Sequence, residues 1–105
     1  MLILFDHGTP APLRLFLAEH TITTAYEAGW ATLTNGALLD AGEQSGYYLL
    51  ITTDKSLKYQ QNLSGRKIAI IALGQANWPV VKTRISQIAE AVRAATPGSY
   101  QLVPM

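Results

Sequence analysis

The chain has 105 residues, of which 49% are hydrophobic and 14% are charged, and its formal net charge is +1. This composition suits one globular domain, residues 1–105, and excludes a disordered chain or one drawn to polyanions by its overall charge. Because cysteine is absent, disulfides, thiolate metal sites and a cysteine nucleophile are excluded. No apolar run approaches the roughly 18 residues of a membrane span, and we expect no signal peptide, so the predicted protein is cytoplasmic with no membrane contact.

The first part of the chain predicts a strand, a helix and a second strand. Residues 2–5 form a continuous apolar run, which is typical of a strand buried on both faces. Thr9 followed by Pro10 predicts an N-cap and first helical position for a helix that extends to about Glu19. The β-branched residues within 21–27 predict a second, less buried strand.

The middle of the chain predicts a helix followed by a buried strand. We expect this helix to begin at Thr34 or Asn35 and to end before Gly46, whose position suits a C-terminal cap. Residues 47–52 form the next apolar run, and the polar segment after it contains Asp54. Here again a buried strand is followed by a carboxylate.

The last part of the chain predicts two more strands with a long helix between them. Residues 67–73 predict a buried strand, and residues 100–103 a short final one. The helix between them carries apolar residues at helical spacing and is stopped by Pro97 and Gly98. Strands that alternate with helices predict right-handed crossovers and an α/β fold with a mostly parallel sheet between helical layers.

Two aspartates follow buried strands, at the point where ligands bind in parallel sheets. The carboxyl ends of parallel strands lie along one edge, so Asp6, Asp54 and Asn77 are expected at the same edge. Two carboxylates held close together repel unless a cation lies between them, and Mg²⁺ or Mn²⁺ prefers such oxygen ligands. Asn35, at the start of a helix, could point toward this edge. Metal-assisted phosphodiester hydrolysis is the chemistry that such a cluster commonly serves.

Each acidic residue also has a structural interpretation. Asp54 could simply cap the turn after its strand, whereas Thr9 already occupies the expected cap position near Asp6 and leaves that carboxylate available. Asp40 and Glu43 lie away from the apolar face of the predicted helix and are expected to be solvated.

Basic residues follow Asp54 and provide candidate phosphate contacts. Lys55 and Lys58 are the predicted substrate-binding residues, although lysines on a polar loop are also an ordinary solvated surface. His7 could be a ligand, a proton shuttle or a loop histidine without a chemical role.

Three segments resemble a known protein family. They read LILFDHGTPAPLRLFL, then TNGALLDAGEQSGYYLLITTDKSLKYQQNLSGRKIAIIAL, then the closing amphipathic helix. Together they resemble the small prokaryotic PIN-like proteins, which are related to the VapC-type toxin ribonucleases of toxin–antitoxin pairs. The resemblance implies a three-layer α/β/α sandwich and a metal-dependent ribonuclease site at the carboxyl edge of the sheet.

The resemblance also implies roles for individual residues. Asp6 matches the first acid of the family and Asp54 the acid of its TxD motif, and both would hold Mg²⁺ or Mn²⁺. Asn35 stands at the helix start where the family commonly has an acid, and Ala37 replaces another acid. A further family acid beyond the fourth strand has no carboxylate here, and Asn77 is the nearest candidate.

These observations leave several functions open. The first is a metal-dependent endoribonuclease that uses Asp6, Asp54 and Asn35, acting as a toxin with a cognate antitoxin. The alternative is a catalytically weakened PIN-like module that binds RNA or a protein partner. With fewer acids than the family, the protein could also be a weak nuclease or recruit Asp40 or Glu43 into its site. A receiver-like domain is less well supported, because the first strand is followed by a single acid rather than a pair. A homodimer is plausible for so small a domain.

Overall fold

Five short strands form one sheet in which every neighbouring pair is parallel. The computed structural model describes residues 1–57 and 63–105. Across the sheet the strands lie in the order β2-β1-β3-β4-β5. Their bounds are β1 Leu2–Phe5, β2 Thr21–Thr24, β3 Leu49–Thr52, β4 Ala69–Leu73 and β5 Tyr100–Val103. The prediction of an α/β fold is confirmed, and the sheet is parallel throughout.

Helical segments connect these strands. A first 3₁₀ helix follows β1 and α1 precedes β3, while the connection from β4 to β5 contains α2, a second 3₁₀ helix and α3. Their bounds are Ala11–Leu17 for the first 3₁₀ helix, Asn35–Gln44 for α1, Trp78–Val81 for α2, Lys82–Arg84 for the second 3₁₀ helix and Ile85–Ala94 for α3. The predicted bounds of α1 are confirmed, and Gly46 follows its end with a φ of +86°, as its predicted capping role requires.

The first predicted helix differs from the structure in type and in its cap. The segment is a 3₁₀ helix that ends at Leu17, and its N-cap position is Pro10, without a side-chain cap. Thr9 is therefore not the N-cap, and the prediction was wrong. Its hydroxyl instead donates a 2.7 Å hydrogen bond to the Ile51 carbonyl oxygen on β3, a partner that is distant in sequence.

The long helix predicted after β4 is interrupted. Between α2 and α3 the chain passes through the second 3₁₀ helix, and Arg84 leaves helical geometry with φ −117° and ψ 19°. The Thr83 hydroxyl donates a 2.6 Å hydrogen bond to the Val80 carbonyl oxygen, a side-chain contact that competes with regular helical bonding and bends helices. The helix also ends at Ala94, before the predicted stop at Pro97.

The sheet is covered on both faces, which makes a three-layer arrangement. On the front face, β1, β3 and β4 contribute alternate residues such as Phe5 and Ile51, which pack against the first 3₁₀ helix and α3. On the back face, residues such as Leu4 and Leu50 pack against α1. The three central strands are buried on both faces, as their continuous apolar runs predicted, whereas β2 is only partly buried.

One of the four crossovers has the opposite hand to the others. The connections from β2 to β3 and from β3 to β4 both step toward β5, and their described residues pack on the back face. The connection from β4 to β5 steps in the same direction but covers the front face with α3. The expectation that all crossovers are right-handed therefore fails here, where α3 packs on the front face together with the first 3₁₀ helix.

Within residues 1–57 and 63–105, no helix has both the length and the apolar character that crossing a membrane requires.

Candidate functional site

The strand order reverses between β1 and β3, and both aspartates lie at that point. From β1 the chain steps outward to β2 and then returns across β1 to β3. Phe5 and Ile51 are register partners, so Asp6 and the segment from Thr52 to Asp54 leave the sheet side by side. A reversal of this kind opens a crevice at the carboxyl ends of the strands, which is where ligands bind in open parallel sheets.

Asp6 is held by groups from both strands. Its backbone N–H donates to the Ile51 carbonyl oxygen at 3.2 Å, which continues the ladder between β1 and β3 past the last paired residue. Its Oδ1 accepts a 3.2 Å hydrogen bond from the Gly8 N–H and lies 3.1 Å from the Thr9 hydroxyl, while its Oδ2 accepts from the Thr52 hydroxyl. The carboxylate is half-buried and is oriented by two donors, the Gly8 N–H and the Thr52 hydroxyl, because the single Thr9 hydroxyl proton goes to the Ile51 carbonyl oxygen.

Asp54 is held by donors from α1 and from its own turn. Its Oδ1 accepts hydrogen bonds from the Ser56 hydroxyl at 2.6 Å and from the Ser56 N–H at 2.9 Å. Its Oδ2 accepts a 2.7 Å bond from the Asn35 amide nitrogen. The Ser56 hydroxyl and then the Asn35 amide lower the pKa of Asp54 below its usual value, because both stabilise the charged form. Asp54 thus caps a turn and also faces the edge.

Thr52 connects the two aspartates. Its side chain is fully buried, and its hydroxyl donates to Asp6 Oδ2 while accepting a 3.0 Å hydrogen bond from the Asp54 N–H. One hydroxyl therefore fixes the carboxylate that follows β1 and the backbone that carries the carboxylate after β3. A buried hydroxyl of this kind costs free energy unless both its donor and its acceptor are used, and both are used here.

The two carboxylates can each offer one ligand to a divalent cation. A carboxylate oxygen has about two lone-pair sites, and in the described part of the chain Oδ2 of Asp6 and Oδ2 of Asp54 each accept a single hydrogen bond. The described residues contain no group of three or more His, Cys, Asp or Glu side chains that could hold a metal ion. Mg²⁺ commonly takes one or two carboxylates and completes its shell with water and substrate phosphates, so two carboxylates that each offer one oxygen are a donor set that suits it.

Asn35 lies at the site, as its position at the start of the helix predicted, and it contacts Asp54 through its amide nitrogen. It is the first residue of α1, and its Nδ2 faces Asp54 because a carboxylate requires a donor. In this geometry Asn35 orients Asp54. The acid that the family resemblance places at this position would instead bring a third negative charge against Asp54.

The two acids of α1, Asp40 and Glu43, lie at the opposite, amino edge of the sheet. Glu43 accepts hydrogen bonds from the backbone N–H groups of Lys67 and Ile68, and Asp40 pairs with Arg66 at 2.7 Å. These partners precede β4, so both acids lie at the amino edge and cannot be recruited to the site. Burial opposes the shift, yet those two backbone amides lower the pKa of Glu43, which is a structural brace rather than a solvated residue.

Of the two predicted substrate-binding lysines, the structure describes Lys55. Lys55 is exposed directly beside Asp54 on the carboxyl edge. Lys58 lies outside the described residues. Asn77 precedes α2 in an exposed loop after β4, at the same edge, and its side chain makes no cap hydrogen bond.

Sequence reasoning missed the hydroxyls that hold the two carboxylates. Thr9, Thr52 and Ser56 each contact Asp6 or Asp54, and Thr9 and Thr52 are the buried polar residues of the described chain. The available signal was a hydroxyl residue within three positions of each aspartate. A short polar side chain beside a strand-ending acid indicates a hydrogen-bonded carboxylate.

A groove of about 520 Å³ lies between α3 and β5, away from the two aspartates. The carboxylate in its lining is Glu90, which pairs with Arg93 at 2.7 Å. Because that acid is paired, exposed and far from any second acid, we place the candidate site at the carboxyl edge rather than in the groove.

Comparisons with family models, with curated proteins and with solved structures found no match to this chain.

Proposed function

We propose that the protein is a cytoplasmic, metal-dependent endoribonuclease with a PIN-like fold, and that it acts as the toxin of a toxin–antitoxin pair. One observation carries the proposal: Asp6 and Asp54 leave adjacent strands at the reversal of strand order and share the Thr52 hydroxyl. Neither carboxylate has an ion-pair partner among the described residues, so their charge is available to a cation.

Asp6 and Asp54 would hold Mg²⁺ or Mn²⁺, each through its Oδ2. When bound, the cation supplies Lewis-acid polarisation of a phosphodiester and charge for the transition state. Asp54 is ionised at neutral pH, and its lowered pKa keeps it ionised in more acidic solution than an ordinary aspartate. Thr52 and Asn35 act as positioning residues, since they fix the two carboxylates without needing to contact the substrate. Lys55 is placed to contact an RNA phosphate beside Asp54.

Cleavage of a labelled RNA in the presence of Mn²⁺ tests this proposal. The wild-type protein should cleave, and Asp6→Asn and Asp54→Asn should each lower the rate at least about a hundredfold. Asp40→Asn is the matched control, because it removes the same charge from an exposed acid at the opposite edge. Equal rates for Asp6→Asn, Asp40→Asn and the wild type would refute the assignment of the site.

The toxin role adds a physiological test. Expression of the wild-type chain in a bacterial host should arrest growth, whereas Asp6→Asn at the same expression level should not. Co-expression of a cognate antitoxin should relieve the arrest. If the wild type and Asp6→Asn both arrested growth, the arrest would not depend on the aspartate site, and this result would count against the toxin role.

The second candidate is a PIN-like module that retains Asp6 and Asp54 at the carboxyl edge of the sheet but no longer cleaves RNA. It is favoured by Asn35, whose neutral amide stands against Asp54 where the resemblance places an acid. Under this reading Mn²⁺ or RNA still binds but the RNA stays intact at saturating Mn²⁺. The cleavage assay above, combined with a binding assay on the same samples, therefore distinguishes the two functions.

A further inference from the structure

The charges of the chain are divided between its two halves. Residues 1–54 contain six acidic residues and one arginine, whereas residues 55–105 contain seven Lys and Arg residues and one acidic residue. No acid occurs between Asp54 and Glu90. The small net charge conceals this division along the chain, which Arg66 bridges in the folded protein by pairing with Asp40 and Glu43.

The ion pairs leave specific cations without a partner. Arg14, Arg66 and Arg93 each pair with an acid within the described residues. Lys55, Lys67, Lys82 and Arg84 are exposed and form no ion pair within the same residues. Lys67 precedes β4 and lies at the amino edge, while the other three lie on connections that leave the carboxyl edge.

Lys82 and Arg84 share their surface with an aromatic pair. The second 3₁₀ helix, which carries both cations, follows α2, and α2 begins at Trp78 just after the carboxyl edge. The rings of Trp78 and Phe16 have centroids 5.7 Å apart at an interplanar angle of 39°. Phe16 is 53% exposed on the first 3₁₀ helix, and Trp78 is partly exposed. The Lys82 N–H bonds to the Trp78 carbonyl oxygen, so Lys82 lies one helical turn after the tryptophan of this pair.

We propose that this surface, formed by Phe16, Trp78, Lys82 and Arg84, binds the single-stranded RNA substrate on one side of the aspartate pair. The inference rests on the proposed function and specifies its substrate: RNA leaves Asp6 and Asp54 toward β4 and α2, and a base stacks on the aromatic pair. Stacking requires an unpaired base, so the preferred substrate is single-stranded.

Charge complementarity favours RNA over the other possible occupants. On the opposite side of the site, toward β2, the described residues offer no unpaired cation, because Arg14 pairs with Glu27, which follows β2. On the proposed side, two unpaired cations are separated by a single residue, a spacing that suits consecutive backbone phosphates. If a second copy of this chain bound here, Lys82 and Arg84 would be left without acidic partners unless residues 1–54 of that copy supplied them.

Fluorescence anisotropy with a labelled oligouridine about 12 nucleotides long tests the proposal. Titrations in EDTA prevent metal-dependent cleavage, so they report binding alone. The double variant Lys82→Gln/Arg84→Gln should weaken binding about tenfold and lower the slope of log affinity against log salt by about 1.4. Phe16→Ala should weaken binding about fivefold or more with the slope unchanged. Lys67→Gln is the matched control, because it removes an unpaired cation from the amino edge.

Two further measurements make the outcome decisive. Duplex RNA should bind less tightly than oligouridine and should not respond to Phe16→Ala. Sedimentation of the same variants shows whether Phe16 serves self-association instead. The proposal is overturned if the double variant and Lys67→Gln bind equally, or if Phe16→Ala weakens a dimer but not RNA binding. Failure of Mn²⁺-dependent cleavage with RNA binding intact would overturn the proposed ribonuclease and leave this surface standing.

Discussion

Replacement of Thr52 by valine removes one hydroxyl from the centre of the site and leaves the side-chain volume nearly unchanged. The Thr52 side chain is fully buried, and its hydroxyl bonds to Asp6 and to the backbone of Asp54. In Thr52→Val, the Asp6 carboxylate loses one of its two donors and the Asp54 N–H loses its acceptor. Valine therefore disturbs both halves of the site through one atom.

The expected loss of stability follows from these two bonds. A hydrogen bond to a charged group contributes about 1.5–3 kcal/mol and a neutral one about 0.5–1.5 kcal/mol. The added methyl group of valine returns roughly 0.8 kcal/mol through burial, and Asp6 keeps its contacts with Gly8 and Thr9. We expect the free energy of unfolding to fall by about 2 kcal/mol, and Tm to fall by about 10 °C in a domain of this size.

Urea denaturation measures the stability change, and calorimetric titration with Mn²⁺ measures the effect on the site. Metal affinity should fall about 10- to 100-fold in Thr52→Val, as for other groups that orient a metal ligand. Thr52→Ser keeps the hydroxyl and should retain the affinity, although it loses a buried methyl group. A valine variant within about 0.5 kcal/mol of the wild type, with unchanged affinity, would refute the role of Thr52.

Three other changes probe the same edge. Gly8→Ala would place a Cβ against Thr53 Oγ1, and urea denaturation should register a loss of about 1–3 kcal/mol unless the loop can move. Asn35→Ala should raise the pKa of Asp54 in an NMR titration of its carboxyl carbon, and an unchanged midpoint would contradict the contact. Since folding lowers this pKa, Asp54 stabilises the protein above its unfolded pKa of about 3.9, and that contribution disappears as pH falls through the folded value. Asn35→Asp should destabilise the metal-free protein and tighten Mn²⁺ binding roughly tenfold, and calorimetry that finds weaker binding would contradict this.

Much of the sheet could be predicted because its signals are local. Continuous apolar runs predicted the buried β1, β3 and β4, and the position of Gly46 predicted the end of α1. The common edge of Asp6 and Asp54 followed from the alternation of strands and helices alone. Asn35 was placed near that edge by its position at the start of α1, and its contact with Asp54 agrees with this placement.

The remaining features depend on register and tertiary packing, which the sequence pattern does not contain. The contact between Thr52 and Asp6 joins residues 46 positions apart and exists because Phe5 pairs with Ile51. Thr9 has the local pattern of an N-cap, but a carbonyl on the neighbouring strand competes successfully for its hydroxyl. The hand of the crossover before β5 likewise depends on the face of the sheet against which α3 packs.

The proposed function requires that Asp6 and Asp54 form one cation site. Calorimetric titration of Mn²⁺ into the wild-type protein, Asp6→Asn and Asp54→Asn tests it directly, with Asp40→Asn as the control. We expect Mn²⁺ to bind to the wild type and to the control, and binding to be lost in each of the other two variants. Binding that survives either substitution at the carboxyl edge, or no binding by the wild type, would contradict it.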